Sequence, residues 1–229
     1  MLRAIIFDFD GVVIDSEPLH LEAVKAALGE AGDGLTPELY AQRYLAYDDP
    51  SGIALFFADR GMNLQEEELQ EVVARKGAIY AEMIRAGQTR FFPGAAELIR
   101  ELAAAVPLAI ATGSLRREVS AILAAGNLLS CFRVIVAAED VSKSKPDPES
   151  YNRALAELNR VTGAVPAIQP EETLVIEDAK QGIASARRAG MKCLAVTTSY
   201  PAHELGEADL ILPSLAGVQF SSLAALFPE

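Results

Sequence analysis

The feature that most constrains the fold of this chain is a series of short apolar runs, rich in Ile, Val and Leu. The runs are Ala4–Phe7, Leu108–Ala111, 134–137, 174–176 and 194–196. Continuous apolar runs of this length are typical of strands that are buried on both faces, and the long spacers between them suit helical connections. The sequence therefore predicts an α/β protein in which helices cover both faces of a parallel sheet.

The stretch between the first and the second run is too long for an ordinary connection inside a compact domain. Apolar side chains at helical spacing over 69–83 predict a long helix, and Asn63 followed by Glu66 predicts a capping box at its start. A second helix is predicted over 18–30, and turn residues at 48–52 are expected to break the middle of this stretch. A helical insertion is the expected result.

Composition and charge exclude several classes of protein. With 51% hydrophobic and 23% charged residues in 229, the chain is in the ordinary globular range. A formal charge of −12 argues against binding to nucleic acid or to an anionic membrane. Cys131 and Cys193 have apolar neighbours, so we expect core thiols rather than a disulfide. The N-terminus becomes acidic before any signal-peptide apolar region develops, and we expect a cytoplasmic protein.

Acidic side chains follow two of the predicted strands. Asp8 and Asp10 come directly after the first run and, being two residues apart on an extended chain, point to one side. Glu177 and Asp178 follow the fourth run in the same manner. Two such charges ~4 Å apart repel by roughly 4 kcal/mol at an effective dielectric near 20, so the cluster needs a cation, most simply Mg²⁺. The alternative is that Asp10 and Gly11 form only a turn.

Two further segments could meet an anion at the same edge of the sheet. Thr112, Gly113 and Ser114 follow the second run and offer two hydroxyl groups on a flexible backbone. Lys145 precedes Pro146, which holds it out of the helical region and in an extended segment. Taken alone, each segment could equally be an ordinary polar loop.

Taken together, these features resemble the four motifs of the haloacid dehalogenase superfamily. The matching residues are Asp8-x-Asp10-Gly11, Thr112, Lys145-Pro146 and Glu177-Asp178. The resemblance is closest to the subgroup of β-phosphoglucomutase-like and phosphoglycolate phosphatase-like enzymes. It implies a Rossmann-like core of residues 1–15 and 90–229 and an inserted α-helical cap of residues 16–89 that closes over the strand ends.

The resemblance also implies roles for the strand-end residues. Asp8 would be the nucleophile, Asp10 the general acid and later the base, and Lys145 the cation that neutralises Asp8 and the phosphoryl group. The phosphoryl oxygens would be held by Thr112, Gly113, Ser114 and Lys145. The Mg²⁺ ion would be bound through Asp8, the backbone carbonyl of Asp10, Asp178 and Glu177, the last as a ligand or as support for the other ligands.

Three positions bear on the choice between phosphatase and mutase. His20 matches a histidine of the mutases, but a lone histidine on a helix is also an ordinary surface residue. Residues 44–49 lack the Lys-Gly pair and the arginine with which the mutases hold a second phosphate. Arg116 stands where a mutase has asparagine, and it could contact substrate or face solvent. The last two departures favour a hydrolase.

We therefore expect a Mg²⁺-dependent phosphatase of small organic phosphate monoesters, such as sugar phosphates or phosphoglycolate-like compounds, that works through an aspartyl phosphate. The alternatives are a hexose phosphate mutase of the β-phosphoglucomutase type and a catalytically silent binding module with the same fold. The expected partner is a small phosphorylated metabolite, with no nucleic acid and no membrane, and we expect a monomer.

Overall fold

The computed structural model describes residues 1–44 and 47–227 and divides into two compact units. The first unit comprises Met1–Asp15 and Arg90–Glu229, and the second comprises Ser16–Thr89. In the described part of the chain, no helix is both long enough and apolar enough to cross a membrane.

The first unit is built on a parallel sheet. In chain order the strands are β1 (Ala4–Phe7), β2 (Ile14–Asp15), β3 (Arg90–Phe91), β4 (Leu108–Ala111), β5 (Phe132–Val136), β6 (Thr173–Glu177), β7 (Lys192–Val196) and β8 (Leu210–Leu212). Six of them form one sheet in the order β5-β4-β1-β6-β7-β8, with every neighbouring pair parallel. The short strands β2 and β3 form a separate antiparallel pair. The central strand β1 therefore lies between β4 and β6.

Helices account for most of the remaining structure. Those of the second unit are α1 (Glu17–Leu28), α2 (Pro37–Arg43), α3 (Asp49–Ala58) and α4 (Glu66–Arg85). Those of the first unit are α5 (Ala95–Ala105), α6 (Arg116–Ala125), α7 (Glu149–Thr162), α8 (Lys180–Arg188) and α9 (Phe220–Ala224). The apolar faces of α7 and α8 pack on the sheet, where Tyr151, Leu158 and Ile183 are buried.

The prediction of a parallel α/β sheet with helices is confirmed. All five apolar runs are strands of the large sheet, although three of the strands begin one or two residues earlier than their runs. The sequence analysis missed β8, because it is a three-residue, half-buried strand at the edge of the sheet. Cys193 is buried as expected, whereas Cys131 is only partly buried and both thiols are free.

Two local predictions in the insertion are wrong. The N-cap of α4 is Gln65, whose backbone N–H donates to Glu68 at 2.8 Å, so the capping box lies two residues beyond Asn63. Residues 49–52 form the first turn of α3 rather than a break, because Asp48 caps α3 by accepting a hydrogen bond from the Ser51 backbone N–H at 2.9 Å. Asp and Pro are common both in turns and in the first turn of a helix, which explains the second error. The first helix ends at Leu28, before a 3₁₀ segment at Gly29–Gly34.

Two glycines of the second unit give a matched test of its backbone. A Cβ atom at Gly77 in α4 or at Gly61 would meet nothing within 4 Å, but Gly61 alone has a left-handed φ of 73°. We expect Gly77→Ala to raise the free energy of unfolding by about 0.5–1 kcal/mol, because glycine costs that much inside a helix. Gly61→Ala should lower it by about 1 kcal/mol, because alanine is strained at positive φ. Urea denaturation measures both changes, and effects of the same sign would contradict this assignment of the backbone.

Candidate active site

The centre of the site is a group of carboxylates at the carboxyl ends of β1 and β6. The two strands pair in parallel with Phe7 opposite Ile176, and the Asp8 backbone N–H donates to the carbonyl oxygen of Ile176 at 2.9 Å. Carboxylate oxygens of Asp8, Glu177 and Asp178 consequently lie within 4.8 Å of one another. All three side chains are largely or fully buried.

Lys145 supplies the positive charge inside this cluster. Its Nζ atom donates to Oδ1 of Asp8 at 2.5 Å and to Oε1 of Glu177 at 2.8 Å. Burial alone would lower the pKa of the ammonium group, but the charges of Asp8 and Glu177 raise it above the ordinary value. Lys145 is therefore protonated at neutral pH and is shared between the two acids.

Glu177 is held on all sides by protein groups. Its Oε1 atom also accepts a hydrogen bond from the Tyr151 hydroxyl at 2.8 Å, and its Oε2 atom accepts from the backbone N–H groups of Asp178 and Ala179 at 2.9 Å. A Cβ atom at Gly182 would lie 1.6 Å from Oε1, so a glycine is required there. Burial alone would raise the pKa of Glu177, but the charge of Lys145 lowers it. Glu177 is thus an ionised group that positions Lys145.

The other two carboxylates carry negative charge that the protein does not fully balance. Burial, followed by the charge of Glu177, raises the pKa of Asp178 to about 7. Burial also raises the pKa of Asp8 well above its ordinary value, with Lys145 opposing and Glu177 and Asp178 adding to the rise. Such a set of oxygen donors with excess negative charge fits a hard divalent cation such as Mg²⁺.

A hydroxyl-bearing loop borders the cluster on the other side of β1. Thr112 directly follows β4, and its Oγ1 atom accepts a hydrogen bond from the Ser114 backbone N–H at 3.0 Å. A Cβ atom at Gly113 would meet nothing within 4 Å, so there is open space beside this loop. The loop therefore presents small polar groups next to the carboxylates of β1.

Asp10 has one oxygen engaged and one oxygen available. Its Oδ2 atom accepts a hydrogen bond from the Ser114 hydroxyl. Its Oδ1 atom is buried and has no hydrogen-bond partner among the residues that the structure describes. A buried carboxylate oxygen without a partner is costly, and it suggests that this oxygen contacts a molecule outside the chain.

Two of the predicted site residues contact side chains outside the carboxylate cluster. Arg116 is the first residue of α6, and its guanidinium group forms an ion pair with Asp140. His20 belongs to the second unit, where its Nδ1 atom lies 2.8 Å from Nζ of Lys76 and its ring stacks on Tyr80. The structure thus brings the other predicted site residues to neighbouring strand ends, but it does not describe these two as part of that group.

Two further residues of the site, Ser199 and Tyr151, were not predicted from the sequence. Ser199, whose hydroxyl donates to Oδ2 of Asp178, follows β7 in the chain, so the strand-end rule could have identified it. Tyr151 had no such signal, because a tyrosine among the apolar positions of a helix is normally a core residue. The close approach of Gly182 to Glu177 is visible only in the structure.

The fold and the cluster are those of an α/β enzyme whose site lies at the carboxyl edge of its sheet. The sequence matches the family model of the haloacid dehalogenase-like hydrolases over residues 5–196. The chain therefore belongs to the haloacid dehalogenase-like hydrolase family, as its motifs predicted.

Relatives with known names extend this assignment. Validoxylamine A 7′-phosphate phosphatase of Streptomyces hygroscopicus subsp. limoneus is 31% identical over 96% of this chain and 97% of its own. Protein CbbY of Rhodobacter capsulatus is 30% identical over 98% and 99% of the two chains. The prediction of a phosphoric monoester hydrolase is confirmed at the level of this class.

Solved structures of CbbY from Rhodobacter sphaeroides are similar over nearly the whole chain. The complex with phosphate has a TM-score of 0.80 at 27% identity, and a mutant in complex with xylulose-(1,5)-bisphosphate has a TM-score of 0.79 at 26% identity. Each comparison covers 97% of this chain and 99% of the other. The resemblance to this subgroup of the family is therefore also confirmed.

The excess negative charge of the carboxylate cluster predicts that a divalent cation stabilises the folded protein, which can be tested without a substrate. We expect Mg²⁺ to raise the melting temperature of the wild-type protein, because a ligand that binds only the folded state stabilises it. Asp178→Asn should melt higher than wild type in chelator, because one buried negative charge is removed, and it should respond much less to Mg²⁺. Thermal denaturation with and without Mg²⁺ measures both effects. An equal Mg²⁺ response in the two proteins would exclude Asp178 as a ligand.

Proposed function

We propose that this protein is a Mg²⁺-dependent phosphatase that hydrolyses small organic phosphate monoesters through an aspartyl phosphate on Asp8. The observation that carries the proposal is the position of Lys145, which is buried between Asp8 and Glu177 beside the carboxylate of Asp178. A cation held against the proposed nucleophile is what an anionic substrate requires. In this proposal the second unit, Ser16–Thr89, acts as the cap that selects the substrate.

In the first step an oxygen of Asp8 attacks phosphorus, and the bond between phosphorus and the ester oxygen breaks. Lys145 stabilises the ionised form of Asp8 and offsets the charge of the incoming phosphoryl group. Asp10 donates a proton to the departing oxygen, for which its unpartnered Oδ1 atom is suited. Thr112 contacts the phosphoryl oxygens through its hydroxyl group and Gly113 through its backbone N–H, whereas the hydroxyl and backbone N–H of Ser114 are engaged with Asp10 and Thr112.

In the second step water attacks phosphorus of the aspartyl phosphate, and the bond between phosphorus and the Asp8 oxygen breaks. Asp10, now ionised, accepts the proton of that water, and inorganic phosphate leaves. Because Ser114 donates to Oδ2 of Asp10, the carboxylate is held in one orientation for both steps. One residue thus serves first as acid and then as base.

The metal site in this proposal consists of Asp8, Asp178 and the backbone carbonyl of Asp10. Glu177 supports them from behind, because all of its hydrogen bonds are already made within the protein. A bound Mg²⁺ would reduce the repulsion between the carboxylate nucleophile and the negatively charged phosphoryl group. The raised pKa values of Asp8 and Asp178 support a cation at this position.

The substrate class is proposed from the relatives. One relative is named for a 7′-phosphate of validoxylamine A, and CbbY has been solved with phosphate and with xylulose-(1,5)-bisphosphate. These names support a phosphorylated sugar or sugar-like compound as the substrate of this chain. A phosphoglycolate-like compound is the second member of the proposed class.

A contact in the second unit favours a phosphatase over a mutase. Lys76 is buried, and its Nζ atom donates to Oδ2 of Asp49 at 2.8 Å. This ion pair offsets the charge of the lysine, whereas a mutase needs free positive charge to hold a second phosphate. Two of residues 44–49, Leu45 and Ala46, lie outside the described residues. The absence of the Lys-Gly pair of the mutases therefore rests on the sequence alone.

The nucleophile can be tested with a matched substitution. We expect Asp8→Asn to lower the turnover number by at least about a thousandfold, because the amide is a poor nucleophile. Asp33→Asn, at an exposed position of the second unit, makes the same chemical change and should leave activity unchanged. Phosphate release over a panel of sugar phosphates in Mg²⁺ gives the rates. Mass spectrometry of acid-quenched wild-type enzyme should show one phosphoryl group on the peptide that contains Asp8, and activity in Asp8→Asn would exclude the proposed mechanism.

The products distinguish the three candidate functions. With β-glucose 1-phosphate and other phosphorylated sugars in the panel, we expect free phosphate to accumulate and no glucose 6-phosphate to form. Enzymatic assay of both products over one time course measures the ratio. Glucose 6-phosphate that appears faster than free phosphate would establish a mutase. No turnover of any ester, together with a stable purified partner, would instead indicate a silent binding module.

A further inference from the structure

The first unit carries a basic groove that the proposed reaction does not use. The groove has a volume of about 260 Å³. Its charged lining consists of Arg116, Arg133, Arg153, Arg160, Asp140 and Glu157. The chain as a whole has a formal charge of −12, so four arginines around one groove stand out against an acidic surface.

The groove lies along the edge of the large sheet. Val134, Ile135 and Val136 of the edge strand β5 and Val161 of α7 also line it, with the side chains of Val134 and Val136 on one face of the strand and that of Ile135 on the other. Val161 is 45% exposed, and the side chains of Val134 and Ile135 are half-buried. Apolar surface is therefore open to solvent between the charged groups. Such a groove offers an apolar contact and positive charge side by side.

Three of the four arginines already have partners in the groove. Arg116 forms an ion pair with Asp140, and Arg153 donates to the backbone carbonyl of Asp140. Arg160 pairs with Glu157 on the same helix at 2.7 Å. These contacts orient the guanidinium groups and leave the arginines in excess of the acids by two.

Arg133 differs from the other three. It is exposed on β5, and within the described ranges 1–44 and 47–227 its guanidinium group has neither a hydrogen-bond partner nor an ion-pair partner. It is the second residue of its strand, whereas the carboxylate cluster lies beyond the opposite, carboxyl ends of the strands. The free guanidinium group is thus away from the catalytic residues.

We propose that this groove is a binding site for a small organic dianion, with a phosphate or phosphonate group held by Arg133 and its neighbours. Guanidinium groups bind such anions through two parallel N–H donors, and a doubly charged group balances the excess of two arginines over the acids. The organic part of the ligand lies on Val134 and Val161. The site is separate from the proposed hydrolysis, and its occupancy does not depend on turnover.

Phenylphosphonate is a suitable probe, because it combines an apolar ring with a dianionic group and has no ester bond to hydrolyse. Titration calorimetry of the wild-type protein with Mg²⁺ at pH 8 should show two binding events, one at the catalytic cluster and one in the groove. Arg133→Gln should weaken one event by about tenfold or more, since hydrogen bonds to charged groups contribute that much. Its phosphatase activity without phenylphosphonate should equal that of wild type.

Arg117→Gln is the matched control. Arg117 lies beside Arg116 on α6 and is 72% exposed, but it is not part of the groove lining. Unchanged affinity of both binding events in Arg117→Gln, with one event weakened about tenfold or more in Arg133→Gln, supports the proposal. Unchanged binding in Arg133→Gln would overturn the proposal. The role left for Arg133 would be to prevent the edge strand β5 from pairing with a strand of another molecule. Equal weakening in both variants would also overturn the proposal, because the ligand would then respond only to the net charge of the protein.

Discussion

The rest of the site depends on the burial of Lys145 between Asp8 and Glu177. Three carboxylates whose oxygens lie within 4.8 Å of one another repel, and burial strengthens that repulsion. The ammonium group offsets part of it through two hydrogen bonds, and Glu177 keeps the lysine in place through its own contacts with Tyr151 and the backbone. Removing one partner of a buried ion pair typically costs about 3–5 kcal/mol, so the arrangement is held rigidly. The negative charge that remains on Asp8 and Asp178 is what makes the cluster suitable for a cation.

The second unit also contains a buried lysine that is paired with an acid. This lysine, Lys76, lies against an acid and a histidine, namely Asp49 and His20. In the first unit the lysine is shared between two acids, one of which is proposed to react. In the second unit the ion pair offsets the charge of the buried lysine. Only the first lysine lies against a residue that is proposed to react.

Much of the fold was predictable because the relevant signals are local. Five continuous apolar runs indicated five strands of a parallel sheet, and the structure has those strands, with β1 in the centre. The errors arose where a local signal has two meanings or is weak. Asp48 and Pro50 suit both a turn and a helix start, and β8 is too short and too exposed to be recognised from its sequence.

The sequence alone determined which chemical groups follow each strand, because the position of Asp8, Thr112 or Asp178 after an apolar run is a property of the chain order. It also determined the family, whose motifs are formed by those same residues. Only the tertiary structure decided which groups meet. The parallel pairing of β1 with β6, the approach of Gly182 to Glu177 and the contact of Tyr151 with Glu177 join residues that are far apart in the chain. The pairing of Arg116 with Asp140 and the exposure of Arg133 were likewise decided by packing, since burial and electrostatic contacts between distant segments exist only once the chain has folded.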